Sequence, residues 1–196
     1  MRQSLKAAVA LVVLGFALFG TGCGRSQQSA ESVTTATYEA AGISFQYPAD
    51  WRAFPSEAVS QMKTQVADGL QEFGRTLVSL DMYGSPDGAA AFFVSKTQAD
   101  STLSADDILA ERRRVYDDAT AAGDVTSVNE LEKTTLNGLP AVIEDVERSN
   151  GGRGHTVKLL QGRFIIELSL VVNDKGEYDK HIGEFEHTLA TLKLQD

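Results

Sequence analysis

The sequence predicts an α+β domain with a mainly antiparallel sheet and helices packed on it. Three observations carry this. Segments with strand alternation and segments with helical spacing follow the order strands, helix, strands, helix, four strands, helix. Tight-turn signals at Gly84–Gly88 (GSPDG) and at Asn137-Gly138 send one strand straight back along the last. Each helical segment also has a single apolar stripe that must be covered.

In chain order, Ile43, Phe45 and Tyr47 alternate with Ser44 and Gln46, the period of a half-buried strand. Pro48-Ala49-Asp50 breaks it, and Trp51 begins a second short strand. Pro55 and Ser56 start a helix whose stripe is Val59, Met62, Val66, Leu70 and Phe73, with Gly74 at its end. Thr76–Tyr83 alternates again, with Val78, Leu80 and Met82 on one side, and 89–97 (AAAFFVSKT) returns. Ser104 and Asp107 form a capping pair for a second helix with Ile108, Leu109, Val115, Tyr116 and Ala119 inward and Gly123 at its end. The strands 128–136 and 139–149 flank Asn137-Gly138. After 150–154 (NGGRG) comes 155–161, and after Gly162 the most apolar strand, 163–172, which is expected at the centre of the sheet. The last helix starts near Lys175 and aligns Tyr178, Ile182, Phe185, Leu189 and Leu192.

Ahead of the domain, Arg2 and Lys6 precede a 13-residue apolar run, Ala7–Phe19, and then Gly20, Thr21 and Gly22. A basic start, a short apolar core and a small-residue end read as a secretory signal over residues 1–22. The run falls short of the roughly 20 apolar residues a membrane-spanning helix needs. Cys23, the sole cysteine, follows at once. It has no partner for an internal disulfide and cannot build a multi-cysteine metal site. Small residues followed by cysteine resemble a bacterial lipobox, with Gly20 standing where leucine is usual. That resemblance implies cleavage before Cys23 and acylation of its thiol, as by palmitate. Lipid chains then attach the protein to a membrane, two or more acyl chains holding stably. The alternative is an ordinary secretory signal with an incidental cysteine. Gly24 in place of an aspartate leaves an outer-membrane destination open as well as the cell membrane. Residues 24–37 are polar and small and read as a flexible tether spanning about 20 Å.

Removal of 1–22 leaves 16 Lys plus Arg against 27 Asp plus Glu, a net charge of −11. This argues against nucleic acid and against electrostatic adhesion to anionic lipid. The 159 residues from Tyr38 onward suit one domain with a full core.

The stretch 42–54 (GISFQYPADWRAF) resembles the opening signature of the PsbP/Mog-like family, and 136–147 (LNGLPAVIEDVE) and 184–194 (EFEHTLATLKL) are similar to later parts of it. The resemblance spans most of 38–196. It implies a three-layer α/β/α sandwich around an antiparallel sheet. The family's members include photosystem II extrinsic proteins, a Ran-binding nuclear protein and bacterial envelope lipoproteins, and no well-known branch is defined by a catalytic apparatus.

The residues themselves offer no nucleophile elbow, no His-Glu-x-x-His and no Walker loop, so no catalytic residue, metal or cofactor is assigned. Glu177, His181 and Glu184 share one stripe of the last helix, where a surface metal site is conceivable; a solvated helix face with weak charge pairs is the plainer reading. His187 points elsewhere, and His155 opens a strand. Arg113 and Arg114 pair with Asp117 and Asp118 on an exposed face. Glu144, Asp145 and Glu147 suggest an acid/base set, but adjacent strand residues face opposite ways, and a solvated hairpin is expected. Trp51 either stacks on a ligand or closes the core edge.

These readings converge on a non-enzymatic, lipid-anchored envelope protein, an accessory or assembly factor with a protein partner. One alternative is a carrier or sensor of a small apolar or glycolipid ligand; another is a photosystem II-associated lipoprotein. Partner binding calls for an exposed apolar patch and no deep cavity, ligand carriage for an enclosed apolar pocket of roughly several hundred cubic ångström.

Overall fold

The computed structural model describes residues 34–195. The hairpin β1 (Thr35–Ala40) and β2 (Ile43–Pro48) leads through β3 (Arg52–Ala53) to helix α1 (Ser56–Gln71). Strands β4 (Arg75–Gly84) and β5 (Ala90–Ala99) follow, then α2 (Ala105–Ala122). Four strands come next: β6 (Val125–Leu136), β7 (Leu139–Arg148), β8 (Arg153–Gln161) and β9 (Phe164–Val172). A 3-10 turn (Lys175–Glu177), α3 (Tyr178–Ala190) and β10 (Lys193–Leu194) close the domain.

Seven strands form one sheet in the order β3-β4-β5-β9-β8-β7-β6, and every pairing in it is antiparallel. As expected from its apolarity on both faces, β9 is the middle strand. Local chemistry explains the joints. Asn137 and Gly138 take φ of 54° and 78°, the left-handed pair a two-residue hairpin turn requires. Ser104 and Asp107 make reciprocal capping bonds at the start of α2, and Gly123 ends that helix at φ 81°.

The two faces of the large sheet are covered differently. On one lie α3 and a small sheet, β1-β2-β10. Between them is the main core, where Phe45, Phe92, Ile166, Leu168, Leu170 and Phe185 meet. On the other face lie α1 and α2. Helix α2 buries Ile108, Leu109, Tyr116 and Ala119. The outcome is a layered α+β fold with helices on both sides of the sheet, one of those layers shared with the small sheet.

Some expectations are corrected. Thr35–Thr37, placed in the tether, are strand residues paired with Gln46–Pro48, so the folded region begins inside the expected tether. Val78 is half exposed, not inward with Leu80 and Met82, because the β4–β5 register shifts between Leu77 and Ser79 and the bulge turns it outward. Lys175 begins a 3-10 turn; the α-helix proper starts at Tyr178. The leader, Cys23 and tether residues 24–33 lie outside the described residues.

Candidate functional site

The stripe of α1 has the spacing of a core helix, yet α1 buries no residue. Val59, Met62, Val66, Leu70 and Phe73 are all only half-buried. The helix stands off the sheet, and a cavity of about 180 Å³ lies beneath it. Met62, Val66, Leu70 and Phe73 form an apolar roof, with Gly69 among them. Helix α2 supplies one wall through Glu111, Arg112 and Tyr116, and Arg75 at the start of β4 is ion-paired to Glu111 across from it.

The floor is polar because inward positions of the central strands carry charge where a core would carry valine. Glu144 is 1% exposed. Its Oε2 accepts from Tyr116 Oη at 2.5 Å and from Arg112 Nε at 3.0 Å. Its Oε1 is buried and makes no aligned hydrogen bond, but lies 3.0 Å from Arg112 Nε and 3.7 Å from Lys158 Nζ. Lys158 is bonded to Glu167, which also accepts from Ser169 Oγ. Burial pushes the Glu167 carboxyl up, but Lys158 outweighs it and holds the group below its usual range. For Arg112, burial opposes the charge and the Glu144 carboxylate more than restores it. Burial raises the Tyr116 phenol, keeping it a hydrogen-bond donor. The cavity therefore offers an apolar ceiling and a charged, hydrogen-bonding floor, and is smaller and more polar than the enclosed apolar pocket expected of a carrier.

The residues singled out in the sequence fall in separate places. Glu144 and Asp145 do face opposite ways, as the strand period requires, but neither is solvated: they are 1% and 3% exposed. The expected solvated hairpin fails because β7 lies between β6 and β8, with α2 over one face and α3 over the other. Asp145 sits on the α3 side, bonded to Arg153, Asn129 and Tyr178. Trp51 is 7% exposed and joins the main core. His181 is 3% exposed, so the solvated helix face expected there is corrected; Trp51 stacks edge-on against it at 5.7 Å. Arg113, Arg114, Asp117 and Asp118, all among the described residues, are exposed as expected, but the ion pairs expected between them do not form, and His187 is exposed too. Arg112, Lys158 and Glu167 were missed. The signal for them was a charged residue at an inward position of an otherwise apolar strand or helix face.

No family model matches the chain, and no curated protein matches it. Among solved structures, cyanobacterial PsbP (CyanoP) from Synechocystis sp. PCC 6803 superposes with a TM-score of 0.56 at 14% identity, over 87% of this chain and 98% of that one. Protein PA94 of Pseudomonas aeruginosa matches at TM-score 0.48 and 12% identity, over 83% of this chain and 98% of that one. LpqN of Mycobacterium tuberculosis, involved in cell envelope biogenesis, matches at 0.46 and 13%, over 83% and 90%. The fold is PsbP-like. At such identity the likeness to CyanoP is one of fold. Among the described residues no helix is long and apolar enough to cross a membrane.

Proposed function

We propose that this chain is a non-enzymatic envelope protein, lipid-anchored at Cys23, whose domain carries a small ligand with an apolar body and a hydroxyl-bearing end in the cavity beneath α1. The observation that carries the reading is the stand-off of α1: an amphipathic helix whose whole stripe is half-buried over a cavity of about 180 Å³. Covering a half-exposed side chain of this size gains about 1 kcal/mol, so a ligand under four of them recovers several. Glu144 Oε1, ion-paired to Arg112 and Lys158 but without an aligned hydrogen bond, then accepts the ligand's hydroxyl hydrogen. Ligand carriage is preferred to protein-partner binding because the two exposed large hydrophobics among the described residues are isolated. Val78 and Val128 stand on β4 and β6, toward opposite ends of the sheet.

The test is binding of the neutral fluorophore N-phenyl-1-naphthylamine to the full chain. Gly69→Leu adds a side chain to the roof at a helical position where leucine is favoured. It is expected to weaken fluorophore binding at least fivefold with circular dichroism unchanged. Binding that ignores this substitution, or that is absent altogether, overturns the reading.

A further inference from the structure

Away from that cavity, three side chains from separate elements converge. Asp87 comes from the turn between β4 and β5, Glu177 from the end of the 3-10 turn, and His181 from the first full turn of α3. One ligand atom from each lies within 4.8 Å of the others. Two features separate this cluster from an ordinary patch of surface acids.

The first is the imidazole. His181 Nδ1 is 2.9 Å from Glu184 Oε2. An ionised carboxylate only accepts, so Nδ1 carries the hydrogen, and in the neutral ring Nε2 holds a lone pair. That Nε2 is buried, has no hydrogen-bond partner and lies 3.9 Å from Asp87 Oδ2. A lone pair facing a carboxylate is repulsive unless a cation lies between them. A carboxylate on the far nitrogen of a histidine is also what orients imidazoles toward metals. The second is the carboxylate. Asp87 Oδ1 accepts from Ser85 Oγ at 2.6 Å and from the Ala89 amide at 3.1 Å. Those bonds fix the carboxylate and leave Oδ2 for a cation.

Lys180 already answers part of this demand: its ammonium is bonded to Asp87 and lies 3.6 Å from Glu177. Its side chain is 57% exposed, on a stem free to swing away. Even with Lys180 in place, the carboxylates of Asp87, Glu177 and Glu184 leave two negative charges around the ring.

We propose that Asp87, Glu177 and His181 form a site for one divalent metal ion of the zinc class, with Lys180 as the competing internal cation. A nitrogen ligand favours zinc and its neighbours over calcium or magnesium. Tetrahedral ligands around zinc sit about 3.3 Å apart, so the 3.9 Å between Nε2 and Oδ2 closes by about 0.6 Å. The exposed turn bearing Asp87 can make that movement. Three protein ligands leave a fourth position for water.

Trp51 supplies a local readout, since it is the one tryptophan of the chain and its ring lies 5.7 Å from that of His181. The experiment is titration of the chelator-treated full chain with ZnCl2 by calorimetry, and with CoCl2 by fluorescence. One zinc per chain and quenching of Trp51 by cobalt are expected, with no response to MgCl2. Asp87→Asn, at an exposed position that keeps an oxygen for Ser85, is expected to weaken both at least tenfold. Lys180→Met is expected to tighten zinc binding severalfold, which a merely structural role for the cluster would not do. His187→Gln leaves binding unchanged. The proposal is overturned by no zinc uptake, by uptake that follows His187, or by Asp87→Asn and Lys180→Met both leaving affinity unaltered.

Discussion

Tyr178 donates its hydroxyl hydrogen to Asp145 Oδ2 at 2.7 Å, tying the first residue of α3 to the middle of β7. Arg153 reaches the same carboxylate from β8 at 2.8 and 2.9 Å and lies 3.6 Å over the Tyr178 ring. Asn129 adds a third donor at 3.0 Å. The last helix is thus clamped to the sheet by a buried polar network as well as by its apolar stripe.

That clamp has a pH dependence with a definite sign. Burial alone would raise the Asp145 carboxyl, but hydrogen bonds from His155, Arg153, Tyr178 and Asn129 outweigh it and hold the group well below its usual range. A carboxyl depressed in the folded state contributes stability that is complete above its unfolded value, near pH 4, and is lost as pH falls through the folded value. Urea unfolding between pH 2 and 7 is expected to show stability falling below about pH 4. Asp145→Asn should cost about 2–3 kcal/mol at pH 7 and flatten the acid slope. An unchanged slope would count against the clamp.

The stripe of α3 makes a second, independent prediction. Phe185 is 3% exposed and packs edge-on against Phe92 at 5.9 Å and His155 at 5.7 Å. Phe185→Ala is expected to cost about 3–5 kcal/mol. Glu186 is exposed, and Glu186→Ala should change stability by less than about 0.5 kcal/mol. Equal, mild effects in urea would mean that the helix is not docked as described.

The start of the domain can be tested by shortening it. Fragments beginning at Thr34 and at Tyr38 differ by the half of β1 that pairs with Gln46–Pro48. Residue 34 is also where the Ala49 amide finds its acceptor, at 2.8 Å. The longer fragment is expected to be the more stable in thermal unfolding. Equal melting temperatures would return the boundary to Tyr38.

The anchor makes the last prediction. If Cys23 is the acylated first residue of the mature chain, intact-mass measurement of membrane-extracted protein gives a mass starting at Cys23 plus its acyl groups. Cys23→Ala should give an unprocessed or soluble product. A wild-type chain without lipid would remove the anchor from the proposal.

Much of this architecture was legible in sequence because its determinants are local. The strand alternation around Phe45, the Asn137-Gly138 turn, the Ser104–Asp107 cap and the α3 stripe each act within a few residues. Periodicity reports that a face is covered, so the inward stripes of α2 and α3 follow from spacing alone. The separation of Glu144 from Asp145 to opposite faces follows in the same way from the strand period.

What periodicity cannot report is what does the covering, or how closely. The stripes of α1 and α3 look alike in sequence, yet only α3 closes down on the sheet; beneath α1 the strands carry Glu144, Lys158 and Glu167. Their burial depends on Arg112 and Tyr116 arriving from α2, 32 and 28 residues from Glu144 along the chain. The cluster around His181 shows the same limit. Its helical members were visible as a stripe, but Asp87 is 94 positions away in a turn that reads only as a turn. Burial and charge convergence are properties of elements distant in sequence packed side by side, and only the tertiary fold brings those elements together.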